Sequence, residues 1–529
     1  MKMTAWRVVF CSIFLALGAV RGVDAQQPGA APEDSYQVGS AEPPADPSKP
    51  LLRLTLEEAV DRALQNNLDL QTARLNPEIQ RYAGVSADAA FSPTIGGNVG
   101  YNNSSNQSTS QLDGGTRTTT QRSSFNLSLS QTLPWYGGRL STNFNNSRTS
   151  TDNSFATRNP SFSSSVSLSY TQPLLSGFRT DNQRTALETQ EIQRQITDIQ
   201  LVGEIENIAN QVRVSYWALR SAIEQIEIQR RGLEQAQQLL ENNRLRVQLG
   251  TLAEIELVQA DAQVASAEQT LLNAEIQWRT QDLSFKRLLV GGPDDALFGQ
   301  TIFPVDVPAI EEVQVDIQAA IDGALQSRTD IRQQREQQQI SLLNLDVTRE
   351  NALPDLNLTA SYSLQGVGGD LFARSGLGGT PQFVQQGGYV DGLSSIAGFD
   401  TPSLNLSLNF TYPIGMRSGR ANVERAQIQL RQAEIALQGQ ELAIATEVTS
   451  AGLAVENTFL QLEAARRSQE AAERSTDAEL ARFAVGASTN FQVVSSQNSL
   501  TSARLSEIRA AINYTNAIAE FDRVQRVGR

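Results

Sequence analysis

The sequence contains no histidine among its 529 residues and only one cysteine, Cys11. The absence of histidine excludes imidazole bases, histidine metal ligands and histidine-dependent hydrolase triads. Cys11 lies in a short apolar segment that we interpret as part of a secretory signal peptide at residues 1–25. The mature protein is therefore expected to have no disulfide bond and no thiol chemistry.

Aromatic residues make up only 6% of the chain, so long helices packed through narrow seams are expected rather than one large core. No glycine-rich phosphate-binding loop of the required form is present. The net charge of -14 disfavours a nucleic-acid partner. Acidic pairs at 294–295 and 311–312 stand in proline-bordered sequence and are interpreted as solvated loop charges. We predict no catalytic site, no metal site and no cofactor.

Two periodicities follow each other between residues 162 and 289. Residues 162–171 alternate between apolar and small polar side chains, which is typical of a β-strand with two different faces. After Pro173 and Gly177, a proline-free helical run of about 70 residues reaches Gly250, which corresponds to a helix of roughly 100 Å. A second helical run at 254–289 returns. A strand joined end to end with so long a helix predicts an elongated protein that spans a large distance.

The chain also contains an internal duplication. Ten residues recur at a fixed offset, which indicates two repeats that each read helix, strands, very long helix, turn and long helix. Examples of corresponding residues are Asp61 and Asp322, Arg74 and Arg335, and the later landmarks Pro173 and Pro413 and Gly250 and Gly486.

The duplication sets the predicted domain boundaries. A signal peptide at 1–25 and a disordered leader at 26–51 precede a first repeat at 52–288. A linker at 289–315 connects it to a second repeat at 316–529. The predicted elements of the first repeat are a helix, strands at about 93–103, 123–131, 139–147 and 162–172, and long helices at about 178–248 and 253–288. Those of the second are a helix, strands at about 354–365 and 403–412, and long helices at about 418–484 and 489–525.

The first helix of each repeat is expected to be continuous, with a disturbance at Pro77 in the first. The first repeat is longer in its strand region, and we interpret the extra residues at 123–150 as an added β-hairpin, with an irregular external loop as the alternative. The glycine-rich segment 366–402 is expected to be a loop.

The predicted strands have the 9 to 11 residues that cross a bilayer when tilted. Each strand alone is equally compatible with a sandwich that has one wet face. The signal peptide and the lack of a long apolar helix favour the membrane interpretation. Four to six strands do not close a membrane barrel, so the chain is expected to share a barrel with copies of itself, with polar faces lining water and apolar faces meeting lipid.

Five segments of the chain resemble those of a known family. They are LTLEEAVDRALQNNLDL at 54–70, TQPLLSGFR at 171–179, TYPIGMRSGR at 411–420, RVQLGTLAEIELVQADAQ at 246–263 and RFAVGASTNFQVVSSQNSL at 482–500. Through these segments, and over almost the whole mature sequence, the chain resembles the TolC-like outer-membrane efflux proteins. This likeness implies a mainly α-helical mixed α/β membrane protein, a homotrimer in which a shared transmembrane β-barrel stands on a periplasmic α-barrel, with the linker as an equatorial crossing.

The resemblance further implies a passive exit duct of a tripartite efflux or type I secretion system. Such a duct lies in outer-membrane lipid and extends into the periplasm. It receives substrates through a periplasmic adaptor from an inner-membrane pump, either proton-driven or of the ABC type. An alternative function is a surface-anchored structural or adhesive coiled-coil protein. The duplication argues against that alternative, because an adhesin has no need for a chain that returns to the membrane twice.

The resemblance places the inner tip of the duct at the turns around Gly250 and Gly486. Apolar residues at these turns, Leu249, Leu252 and Val485, indicate a surface on which an adaptor docks. Chain reversal alone explains the two glycines equally well.

Members of the family often narrow the tip with acidic residues after the second turn. The corresponding positions here are Gln492 and Ser495, with Glu256 at the related position after the first turn. These three residues are the predicted pore constriction. A carboxylate ring in the second half is thus in doubt, and Gln492→Asp is expected to increase cation selectivity.

Overall fold

The computed structural model describes residues 38–44, 49–108, 115–309, 311–376 and 379–525. The signal peptide predicted at 1–25 and most of the predicted leader lie outside these residues. The described part of the leader corrects the expectation of disorder, because Ala41 is buried and its N–H points to the Glu224 carboxylate at 3.4 Å. The N–H of Gly39 donates to the same carboxylate oxygen at 3.0 Å.

Each repeat begins with two helices rather than the single helix expected from the sequence. The break falls at Asn67 and, in the second repeat, at Arg328, whereas Pro77 lies inside a helix. Asn67 has extended backbone angles and caps the following helix with its side chain, which accepts from the N–H of Leu70. The helices are α1 (Leu56–Asn66), α2 (Leu68–Asp88), α5 (Ile317–Ser327) and α6 (Thr329–Asn351).

Six long strands form one antiparallel sheet. Neighbours in the sheet follow the order β2, β3, β4, β5, β7, β9. The short strand β8 also pairs with β7, at residues 371–373, beyond the part of β7 that pairs with β9. Within the described residues, β2 pairs only with β3 and β9 only with β7, so both outer edges lack a partner. The strands are β2 (Thr94–Gln107), β3 (Arg117–Thr132), β4 (Arg139–Thr151), β5 (Arg158–Pro173), β7 (Asp355–Ala373), β8 (Gln382–Gln385) and β9 (Pro402–Thr411).

The segment 123–150 lies within this sheet. Its two strands, β3 and β4, pair continuously from Thr120 with Thr151 to Thr132 with Arg139. The segment is therefore a hairpin between β2 and β5 rather than an irregular loop. An added up-and-down pair leaves the direction of β5 unchanged, so the chain still enters the long helices from the same end of the sheet.

The sheet has one apolar face and one polar face. Residues that oppose each other across a pair point to the same side, and the register keeps apolar residues together across all six strands. Many of them are exposed, including Val99 at 79% and Leu404 at 68%. The opposite face carries small polar residues such as Ser128 and Asn126, which are only half exposed.

Two pairs of long antiparallel helices extend from the sheet. The longest, α3 and α8, contain 67 and 68 residues, which corresponds to about 100 Å each. The helix α3 packs against α4, α8 packs against α9, and contacts between α3 and α9 join the two pairs. Among the described residues, no helix is both long and apolar enough to cross a membrane. The helices are α3 (Asn182–Gln248), α4 (Ile255–Leu289), α8 (Arg417–Ala484) and α9 (Asn490–Gln525).

An apolar core lies near the level of the short helices in each repeat, and Ile508 and Ile512 of the second repeat join the core of the first. In the first repeat, the ring of Tyr216 in α3 meets both Trp217 of the same helix and Phe285 of α4 edge to face. In the second, Tyr514 of α9 packs against Phe459 of α8. The two-stranded parallel ribbon of β1 (Leu51–Leu54) and β6 (Thr301–Pro304) joins the start of the first repeat to the linker between repeats.

The glycine-rich segment 366–402, expected to be a loop, contains regular structure. The strand β7 continues to Ala373, and the chain then forms β8 and the short helix α7 (Tyr389–Ala397). This helix packs on β7, and the two approach each other through glycines. The composition alone did not reveal this, because glycines here permit close packing rather than chain reversal.

Candidate functional site

The turn between α3 and α4 is built around Gly250. This glycine has φ +71, which favours glycine, and its N–H donates to the carbonyl of Val247 at 2.9 Å. The next N–H, of Thr251, donates to the carbonyl of Arg246 at 2.9 Å. Leu249 is 78% exposed beside this turn, while Leu252 is half-buried. The turn therefore presents one large apolar side chain to solvent.

The turn between α8 and α9 has the same geometry. Gly486 has φ +78 and donates to the carbonyl of Phe483 at 3.1 Å, and Ala487 donates to Arg482 at 2.8 Å. Val485 is 80% exposed and occupies the position that Leu249 has in the first turn. The two repeats thus end in matched turns, each with an exposed apolar residue next to the glycine.

Contacts between α3 and the second turn bring both turns to one end of the molecule. Asn243 donates to the side chain of Asn490 at 3.0 Å. Arg246 donates to the carbonyl of Phe483 at 3.1 Å, and its guanidinium lies 4.4 Å from the centroid of that ring. The five residues predicted to form the docking tip, Leu249, Gly250, Leu252, Val485 and Gly486, therefore lie in two neighbouring turns.

The predicted constriction residues lie just inside the following helices and differ in environment. Glu256, in the first turn of α4, is half-buried, and one of its carboxylate oxygens has no hydrogen-bond partner among the described residues. Gln492 and Ser495 of α9 are exposed. Because glutamine and serine are uncharged, the second-half positions carry no negative charge.

Gln492 has a structural task that the sequence analysis missed. Its side-chain oxygen accepts from the N–H of Thr489 at 3.3 Å, while its own N–H donates to the Thr489 hydroxyl at 3.4 Å. This reciprocal pair is a capping box at the start of α9. The pattern of threonine followed three residues later by glutamine is the signal that predicts it. In the first half, Glu254 precedes α4 and forms no side-chain cap.

A buried polar cluster ties α3 of the first repeat to the ribbon of β1 and β6. The Tyr216 hydroxyl donates to the Asp306 carboxylate at 2.7 Å and accepts from the Asp306 N–H at 3.0 Å. Burial raises the pKa of Tyr216, so the hydroxyl stays protonated. Arg220 and Glu224 form an ion pair at 2.7 Å with both side chains 1% exposed. The Arg220 guanidinium also donates to the Pro304 carbonyl at 2.9 Å.

The second repeat has an ion-pair network that is more accessible to solvent. Arg328 bridges Asp330 and Glu447 at 2.8 and 2.7 Å. Arg523 pairs with the same Glu447 at 3.0 Å and with Glu520. Burial acts to lower the pKa of Arg328, but its bonds to Asp330 and Glu447 outweigh this and raise it. Hydrogen bonding to Glu520 raises the pKa of Arg523. Both arginines therefore remain charged and hold α6, α8 and α9 together.

In the part of the chain that the structure describes, no cluster of three or more acidic residues is arranged to hold a metal ion. What the arrangement offers is a pair of apolar turns at one end and a two-faced sheet with unpaired edges at the other. The long helices connect these two ends.

Comparison with known proteins gives a family and a fold. The sequence profile of the family described as outer membrane efflux protein matches residues 138–291 and 320–524, which is more than half of the chain. No curated protein sequence matches the chain.

Several solved structures have a similar fold, and some of them are described as outer membrane channels. CusC is 17% identical with a TM-score of 0.65, over 93% of this chain and 97% of that one. The Campylobacter jejuni outer membrane channel CmeC is 17% identical with a TM-score of 0.63, over 89% and 85%. The Vibrio cholerae outer membrane protein VceC is 14% identical with a TM-score of 0.63, over 89% and 96%. At these identities, the likeness concerns the fold.

Proposed function

The chain belongs to the family of outer membrane efflux proteins, and from this membership we propose that three copies of it form a passive exit duct for a tripartite efflux or type I secretion system. As an outer-membrane efflux protein, it is a transport protein located in that membrane. The trimer, the shared barrel and the partners are the finer parts of the proposal. They rest on the arguments below.

The single observation that carries the proposal is the sheet with two unpaired edges. Unpaired backbone groups in lipid cost several kcal/mol each, and six strands are fewer than the eight of the smallest membrane barrels. Pairing β9 of one copy with β2 of the next removes both edges at once. Three copies of six long strands then close one barrel of eighteen strands.

The two faces of the sheet fit opposite sides of such a barrel. The exposed apolar residues, among them Ile95 and Leu406, would meet lipid. The small polar residues of the other face would line water. The outward apolar band and polar interior are the pattern of transmembrane barrels.

The helical end supports docking of a periplasmic partner. Leu249 and Val485 are the most exposed large apolar residues of the two turns, which lie at the same end of the helices. Exposed apolar side chains at the end of a long shaft are typical of a protein-binding surface. We assign this end, with Gly250, Leu252 and Gly486, to an adaptor that links the duct to an inner-membrane pump, proton-driven or ABC type.

The pore constriction is proposed to lie at Glu256, Gln492 and Ser495, one turn beyond the docking surface. Because the second-half residues are uncharged, we expect weaker charge selection there than a ring of second-half carboxylates would give. Transport through the duct follows the pump or a gradient, since the duct itself is proposed to be passive.

The test separates docking from conduction. Leu249→Asp combined with Val485→Asp should abolish efflux in cells to the same extent as deletion of the protein, because charges replace the apolar docking residues. The purified variant should keep its trimeric mass and its conductance in planar bilayers. Normal efflux in the variant cells would contradict the docking assignment, and a monomeric wild type would contradict the duct.

A further inference from the structure

A groove of about 590 Å³ lies on the apolar face of the sheet, at the middle of β2 and β3 and in the half of β4 and β5 that is remote from the long helices. Its floor is formed by β2, β3, β4 and β5, and its side wall is formed by α7. The apolar lining includes Val99, Tyr101, Phe125, Phe162 and Tyr389. Val99 and Tyr101 are 79% and 67% exposed, so nothing in the described chain fills this groove.

The wall is fixed in place by close backbone packing. A Cβ added to Gly366 would lie 1.8 Å from the carbonyl oxygen of Gly392, and one added to Gly368 would lie 1.9 Å from that of Gly388. Any larger residue at these two positions of β7 would therefore displace α7. The helix is thus held on the sheet by glycines that no other residue replaces without movement.

Tyr389, the first residue of α7, closes one side of the groove. Its ring meets Phe162 edge to face with 6.2 Å between centroids. Its hydroxyl donates to the side-chain oxygen of Asn146 at 2.9 Å. This bond orients the amide of Asn146, so that the nitrogen is the atom left to bind another group.

The polar part of the groove has unmet hydrogen-bonding capacity. Asn146 is only 6% exposed, and its amide nitrogen has no partner among the described residues. Ser164, directly opposite on β5 and 1% exposed, also has a hydroxyl without a partner there. Buried donors of this kind are normally paired, so the Asn146 amide nitrogen, which lines the groove, can take an acceptor that the described residues do not supply.

A single cation stands beside these groups. Arg148 lines the groove, and its guanidinium lies 6.0 Å from the centroid of the Phe162 ring. Across the described residues, no carboxylate forms an ion pair with it. The acidic residues of the neighbouring segment are engaged with their own backbone, since Asp391 accepts from the N–H of Gly388 at 2.7 Å and Asp370 from that of Gly387 at 3.1 Å.

The height of Arg148 matches a membrane boundary. Arg139, the first residue of β4, lies at the end of the sheet next to the helices. Arg148 lies nine residues further along the same strand. At about 3.4 Å per residue and a tilt of about 40°, this corresponds to roughly 23 Å along the membrane normal, close to the thickness of the apolar band of a transmembrane barrel. A cation at this height meets lipid headgroups while the groove below it meets acyl chains.

We propose that the groove binds one phosphate-bearing acyl lipid per protomer. An acyl chain lies along Val99, Tyr101 and Phe125, and headgroup oxygens accept hydrogen bonds from Asn146 and Arg148. The inference rests on the proposed function, because only a barrel with its apolar face outward brings the groove into contact with lipid. The lipid would secure α7 against the outside of the barrel.

The test is native mass spectrometry of the detergent-extracted protein titrated with dipalmitoyl phosphatidylglycerol. Each wild-type protomer should retain one lipid, and Arg148→Gln and Asn146→Leu should each weaken retention about tenfold or more. Dipalmitoylglycerol, which has the same chains but no phosphate, should also be retained at least tenfold more weakly. Arg122→Gln is the matched control, because Arg122 lies on the opposite face of the adjacent strand and contacts Ser147.

Equal retention by wild type and Arg148→Gln, or an equal loss in Arg122→Gln, would overturn the site. Displacement of the lipid by inorganic phosphate would also overturn it, since it would indicate an anion site without an acyl groove. The same spectra test the proposed function separately, because a wild-type protein that appears only as monomers would contradict the trimeric duct. Loss of lipid from intact trimers of the wild type would count against the lipid site alone.

Discussion

The two halves of the chain share one backbone plan and differ in the polar residues placed on it. Thr55 and Asp316 occupy corresponding positions, and each caps the first helix of its half. Phe285 and Phe521 correspond on the returning helices, and both are buried. The caps, the turn glycines and the core aromatics are thus common to both halves, because each half needs the same helices in the same places.

The halves diverge where each meets a different neighbour. Tyr216 anchors the parallel ribbon in the first half, and the corresponding position in the second is Gly452, where an added Cβ would lie 2.8 Å from Ile317 of α5. The first half has an additional strand pair, β3 and β4. The comparison teaches that one repeated plan was adapted at the sheet, at the level of the short helices and at the turns, and each adaptation has a testable effect.

The largest effect is expected from making the two halves alike in the sheet. Replacing residues 108–157 by a short turn removes β3 and β4. The first half then contributes two long strands, β2 and β5, just as the second half contributes β7 and β9. With twelve strands instead of eighteen, the barrel diameter should fall from about 36 Å to about 24 Å. Particle images of extracted trimers measure this change. Shortening only the connection between β2 and β3 is the control, and an unchanged diameter after the full deletion would contradict the shared barrel.

The next effect compares the ion pairs of the two halves. Arg220→Leu removes the cation that offsets the burial of Glu224, which should cost about 3–5 kcal/mol. Arg523→Leu, in the more accessible network of the second half, should cost about 1 kcal/mol or less. Urea titrations of the extracted proteins give the free energy of unfolding, and hence the loss in each variant. Equal losses would show that burial does not distinguish the two networks.

A smaller effect is expected at the tip, where Glu256 of the first half corresponds to Gln492 of the second. Gln492→Glu retains the capping box and adds a carboxylate, so cation selectivity in planar bilayers should increase, by roughly a few-fold. Gln438→Glu, exposed and far along α8, is the control of equal charge. If both variants shift the reversal potential equally, Gln492 does not lie at the constriction.

The smallest effect concerns Glu507, which stands where the first half has Leu271. Burial raises the pKa of the Glu507 carboxyl, and Glu470 and Glu473 add to this while Arg466 and Arg504 oppose it. Because the pKa of Glu507 is higher in the folded than in the unfolded state, its contribution to stability is greatest at low pH. This contribution falls as the pH rises through the folded-state pKa. Glu507→Leu should therefore raise the free energy of unfolding, obtained from urea titrations, by roughly 1 kcal/mol or less at pH 7 and by a smaller amount at pH 4. A larger gain at pH 4 would reverse this sign.

Regular features of the fold were readable from the sequence. The alternation at 162–171 and the uninterrupted helical runs reflect physical requirements that side-chain patterns reveal directly. The hairpin of β3 and β4 followed from alternation and from a comparison of lengths between halves. The breaks at Asn67 and Arg328 did not, because extended backbone at these positions depends on the packing of the short helices on α3 and α8.

The candidate site was less accessible to sequence reasoning. The glycines between the helical runs, Gly250 and Gly486, indicated the turns. In the structure both have positive φ, which favours glycine. The capping role of Gln492 was present in the sequence as a threonine followed three residues later by a glutamine, but only the constriction was predicted there. The groove beside Tyr389 could not be predicted, because it depends on the way glycines of β7 admit α7 onto the sheet.

The most direct test of the shared barrel is a density map of the protein in a lipid nanodisc, at a resolution that separates strands. We predict three copies around one barrel of eighteen strands, with β9 of each copy beside β2 of the next. A barrel of twelve strands with β3 and β4 outside it, or a sheet closed within a single copy, would contradict the account.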